Sequence, residues 1–168
     1  MLAWKFFAAG AVAPFTGVRW PDKGWIESAS GADQGVHACA VEHLPYWFDE
    51  ELWEVELDGA ISCHARQIVA ARGRLVARID EWPAAREDFT AACVERTRKR
   101  IDEALRRGRD GASFQGYLAD VIRRRPYPGA CAYIAARAAA ATDGLPAHDE
   151  ERAAQAGWLA AHLRLAHT

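Results

Sequence analysis

This 168-residue chain has no paired cysteines, no long apolar run and no strongly one-signed charge, and each absence removes a class of protein. Its four cysteines, at 39, 63, 93 and 131, lie far apart with no CxxC, which excludes a disulfide framework and the common paired zinc motifs. Such spacing reads as reduced thiols of an intracellular, cytoplasmic protein. No stretch reaches the roughly 20 apolar residues of a membrane span, because Arg137 interrupts the alanine-rich segment around 130–141. A membrane partner is therefore not expected. Phe6 to Ala13 follows Lys5 and ends in AVA, a loose likeness to a secretory leader, but it is short, and Pro14 stands where cleavage would fall. Phosphate loops, nucleophile elbows and dinucleotide fingerprints are missing too, so no cofactor is expected.

The formal charge of −2 hides an asymmetry: residues 1–82 carry 7 basic and 12 acidic side chains, and residues 83–168 carry 14 and 11. Neither half is basic enough to hold nucleic acid by counterion release. In the arginine-rich stretch from Arg96 to Asp110, Arg98 stands four residues before Asp102 and Glu103 four before Arg107, the spacing of solvated ion pairs on a helix.

Against these absences stands a hydrophobic content of 51%, ordinary for a folded, water-soluble domain, with two textures. Six of the seven tryptophans occur by residue 82. Over 1–82, short aromatic and β-branched runs are broken by turn residues: AWKFF, PFTGVRW, GWIES, GVHACA, LWEVELDG and RQIVA. Trp53, Val55 and Leu57 alternate with Glu54, Glu56 and Asp58, which predicts a strand with one core face and one acidic face. Glu42 to Phe48 has room for a helical turn or two, and Arg72 to Trp82 fits either a strand continuing from Ile68 or a helix, which Leu75, Val76 and Ile79 favour. Over 83–168 apolar residues recur at helical spacing. The predicted helices are 84–107, one through Phe114, Tyr117, Leu118, Val121 and Ile122, one over Gly129 to Thr142, and a last one capped by Asp149. The expected fold class is α+β: a small antiparallel or mixed sheet in the N-terminal half packed with about four helices in the C-terminal half, the β-rich unit 1–82 and the helical unit 83–168 forming one compact domain.

The words WKFF, RWP, GVHAC, LPYW, LWEVELDG and RGRL together resemble a family of short, uncharacterised proteins from high-GC bacteria, over about residues 4–82. That resemblance implies a fold unit and no catalytic assignment. The order of a His-bearing strand, a short helix and another strand is also similar in layout to part of the ADP-ribosyltransferase and RNA 2′-phosphotransferase fold, which implies a nucleotide-handling alternative.

Polar candidates gather at 37–78. On a strand His37 and Cys39 point the same way, and His43 lies one turn beyond. The leading expectation is an enzyme or ligand-binding protein in which His37 transfers a proton and Glu54 or Glu56 orients it. Arg74 would hold an anionic group, with Trp47, Tyr46 and Trp20 lining a pocket for a planar small molecule. Three alternatives stay open: a zinc site of His37, Cys39 and His43; a phosphate clamp in Arg123 to Pro128; and a noncatalytic interaction module whose alanine-rich helices make a homodimer.

Overall fold

The computed structural model describes residues 1–27, 35–109, 111–124 and 127–166. The protein is α+β. Its chain divides into two units, Met1–Pro83 with Ala160–Thr168, and Ala84–Leu159.

The first unit is built on five strands: β1 (Leu2–Phe7), β2 (Ile26–Glu27), β3 (Val36–Ala38), β4 (Glu51–His64) and β5 (Gln67–Arg78). Every pairing among them is antiparallel. β4 lies between β1 and β5, and β2 and β3 pair in tandem with β5. A single bridge, Trp4 with Cys39, then ties β3 back to β1 through two 2.8 Å backbone hydrogen bonds. The pairings thus run in a ring, β1 to β4 to β5 to β3 and back to β1. Residues facing inward form the core: Ala3, Phe7, Trp20, Val36, Ala38, Val55, Leu57, Ile68 and Ala70 among them. The alternation expected of β4 is there, with Val55 and Leu57 fully buried and Glu54, Glu56 and Asp58 on the opposite face.

Two bulges set the course of the long hairpin. Between Asp58 and Ile61 the register slips by one residue at Gly59, whose φ of +82° is a conformation that suits glycine, and whose added Cβ would meet the Ala71 Cβ at 2.8 Å. Between Glu54 and Val55 the extra residue is Val76 on β5. Of the two readings of Arg72 to Trp82 the strand holds as far as Arg78, and the bulge explains the helical lean: pushing Val76 out to solvent offsets the period of two, so Leu75 and Ile79 mimic a helical i, i+4 pair. The run PFTGVRW is likewise not a strand. Pro14 and Gly17 (φ +67°) turn it, leaving only isolated bridges of Val12 with Ala8 and Arg19. A 3-10 helix over Val41–Tyr46 links β3 to β4.

The helices are α1 (Trp82–Arg106), α2 (Ala112–Arg123), α3 (Pro128–Asp143) and α4 (Leu145–Leu163). Asp149 does not cap the last of them. Gly144 ends α3 with φ +94°, and α4 starts at once with Leu145 and Pro146, where proline's missing N–H costs nothing. In the second unit Gln155 is fully buried and donates to Ala132 O and Glu151 Oε1, both at 3.0 Å, and Arg96 reaches the same carboxylate at 3.4 Å. Asp143 pairs with Arg100 and Arg107. No helix among the described residues is long and apolar enough to cross a membrane.

Candidate functional site

Strand phase places His37. Val36 and Ala38 turn into the core, so the imidazole between them points to the outer face, beside its cross-strand neighbour Val69. Gln67 stands two residues before Val69, on the same face, and its Oε1 lies 3.2 Å from His37 Nδ1. A carbonyl oxygen only accepts, so Nδ1 is the donor of this bond, and in the neutral ring that leaves the lone pair on Nε2. His37 is half-buried, and among the described residues nothing bonds to Nε2. On the same face, across β5 on β4, Ser62 Oγ and His64 Nε2 are 3.3 Å apart, both exposed, and they are the cross-strand partners of Val69 and Gln67.

The carboxylates expected beside His37 are elsewhere. Glu54 faces Trp4 across β1, and β1 in turn meets β3 through Cys39, so a whole strand separates Glu54 from the His37 face. Two strand spacings amount to roughly 10 Å, too far for a hydrogen bond. Glu56 accepts from Arg74 Nε at 2.6 Å, its direct cross-strand partner. Arg74 is therefore neutralised rather than open to an anion. Arg72 repeats the pattern with Asp58, at 2.9 Å from its Nε, and both guanidinium groups lie over the Trp25 ring, 4.8 and 5.0 Å from its centre. The bonds from Arg72 and the Gly59 N–H hold the Asp58 carboxyl below its ordinary range. This face is a ladder of satisfied ion pairs on an aromatic support.

Trp20 is in the core, its ring 5.0 Å from that of Phe7 and 3% exposed. Trp47 and Tyr46 are half-exposed near the hairpin tip. The Trp47 indole donates to Arg66 O at 3.0 Å, the Arg66 guanidinium stacks 4.1 Å over Tyr46, and the 83% exposed Phe15 meets Trp47 edge-on at 6.2 Å.

The zinc alternative lacks its ligands. Among the described residues no three His, Cys, Asp or Glu side chains gather to hold a metal. Cys39 is 2% exposed, and burial pushes its thiol up to about 12, keeping it protonated where a metal needs a thiolate. The phosphate clamp of Arg123 to Pro128 falls partly on residues 125 and 126, outside the described residues.

Three polar residues central to the first unit carry no motif. Gln67 becomes visible only once β3 is registered on β5. Glu51, at the head of β4, is buried and accepts from the backbone N–H of Gly10 (3.0 Å) and Ala11 (3.2 Å) and from the Trp53 indole (3.0 Å), with Arg78 3.4 Å away. Burial alone would raise its carboxyl, but these donors and the arginine charge outweigh it and hold the group below its ordinary range. Lys5 shares the inward face of β1 with Ala3 and Phe7, and the alternation within LAWKFF was its only signal.

Searches of protein-family models, curated proteins and solved structures returned no match to this chain.

Proposed function

We propose that the chain binds a small molecule on the outer face of β3 and β5, and that His37 moves a proton to or from it through Nε2. The observation that carries this reading is the hydrogen bond from His37 Nδ1 to Gln67 Oε1, which in the neutral ring favours the tautomer with Nε2 as proton acceptor. Gln67, rather than Glu54 or Glu56, is the orienting group. Being neutral, it positions the ring without stabilising an imidazolium, which suits proton abstraction from a group already acidic. Ring-nitrogen NMR tests this directly. The native protein should show the Nδ1–H tautomer, Gln67→Leu should release it towards a mixture, and His37→Gln should abolish the ring-centred response to a metabolite-like compound set while leaving the melting temperature within a few degrees. A ring found as Nε2–H in the native protein would end the reading.

A second reading, a noncatalytic interaction module, is favoured by one observation. Phe15, Trp47, Tyr46 and Arg66 form an exposed aromatic and guanidinium cluster, the residue types that dominate protein interfaces.

A further inference from the structure

Lys5 is a cation on the wrong side of a strand. The phase of β1 turns it inward with Ala3 and Phe7, where a charge is costly to desolvate. Its Nζ donates to the backbone carbonyl of His37 at 2.6 Å and lies 5.3 Å from the Phe7 ring centre and 5.8 Å from that of Trp20. Among the described residues no carboxylate pairs with it. The ionisable groups around it are Cys39 on β3, a thiol kept neutral by its own burial, and Glu51 on the same face of β4, already engaged by Gly10, Ala11, Trp53 and Arg78. Glu42 acts on the Cys39 thiol, and Arg19, next to Trp20, is exposed. Lys5 as a residue is nonetheless half-buried rather than fully enclosed.

We propose that Lys5 is an imine-forming residue whose reaction partner is an uncharged aldehyde or ketone. The geometry meets the first chemical need, an amine on an aromatic floor without a counter-charge, in a residue that is half-buried rather than fully enclosed. In the step itself the Nζ lone pair attacks the carbonyl carbon, forming a C–N bond while the C=O π electrons move to oxygen. The two protons of the amine pass in turn through solvent to that oxygen, which leaves as water as the nitrogen lone pair forms C=N. The aromatic floor of Phe7 and Trp20 and the hydrogen bond to His37 O hold the nitrogen in place. Burial supports the same conclusion by lowering the amine to about 8, from an ordinary 10.5, so that about a tenth is unprotonated at neutral pH. This inference is independent of the proposed role of His37, whose ring lies on the opposite face and whose contact with Lys5 is made by the backbone.

The chain has three lysines, and Lys23 and Lys99, both exposed, are built-in references. Lys5 holds about 300 times more free amine than an ordinary lysine near neutrality. Its weaker basicity lowers intrinsic nucleophilicity by roughly tenfold on the Brønsted slope known for thiols, and the aromatic floor shields one side. Limited reductive alkylation of the folded protein with acetaldehyde and cyanoborohydride should therefore mark Lys5 about tenfold ahead of Lys23 and Lys99. Tandem mass spectrometry separates its Nζ from the Met1 amine. The labelling rate of Lys5 should level off above about pH 8. In denaturant the preference should vanish. Labelling of Lys5 in the folded protein no faster than Lys23 and Lys99 would overturn the proposal.

Discussion

Replacing Glu51 by Gln keeps the shape of the side chain and changes what it offers to four donors. The carboxylate receives the N–H groups of Gly10 and Ala11 and the indole of Trp53, and faces Arg78. An amide retains one accepting oxygen and turns an NH2 towards groups that are themselves donors. Ala11 and Trp53 both donate to Oε2, so an amide oxygen in that place keeps these two donors, and the loss falls on the Gly10 N–H and the Arg78 guanidinium, which face Oε1. A hydrogen bond to a charged group is worth about 1.5–3 kcal/mol, which, with the Arg78 charge left facing an NH2, puts Glu51→Gln at about 2–3 kcal/mol. The loss should loosen the turn in which Ala11 holds a φ of 57°, a conformation alanine rarely adopts. The effect has a pH signature. Because the folded-state carboxyl lies below its ordinary 4.5, its contribution is complete above that value and disappears as pH falls through the folded-state value. The native protein and the variant should converge in acid. Urea unfolding followed by tryptophan fluorescence reports chiefly on residues 1–82, which hold six of the seven indoles. A gap under about 0.5 kcal/mol at neutral pH, or one that persists unchanged into acid, would refute the reasoning.

Two more outcomes are expected. Of the four thiols only Cys63 is exposed, and burial pushes Cys39, Cys93 and Cys131 up to about 12, 12 and 11, so one equivalent should react rapidly with a thiol reagent and three only on unfolding; a second fast thiol would contradict the packing. If the Phe15 cluster is a self-association surface, light scattering should show a concentration-dependent dimer that Phe15→Ser abolishes; a monomer at all concentrations would remove that reading.

What could be seen in advance follows from how locally each feature is encoded. The β4 strand was legible because Trp53, Val55 and Leu57 alternate without interruption, and α2 because Phe114, Leu118 and Val121 keep helical spacing. The nature of β5 was hidden by one residue, Val76, whose bulge breaks the alternation. Asp149 looked like a cap because capping chemistry is common at aspartate, yet Gly144 and Pro146 had already set the boundary. The site was less legible than the fold. His37 and Glu54 are near in sequence terms, but β1, arriving from the other end of the unit, stands between them, and no local pattern reveals which strand fills that slot. Trp20 flanks a turn and still reaches the core, because an indole is long enough to lie beneath β1.

The ring of pairings also constrains the order in which the sheet can come into being. β4 and β5 are joined by only Ala65 and Arg66, so their hairpin can zip within microseconds once both are synthesised. β1 leaves the ribosome first but has to wait: Leu2 meets Glu56, and Trp4 meets Cys39 only after β3 has docked. Closing those long loops is the entropically dear step, and it makes the first strand translated the last to be secured.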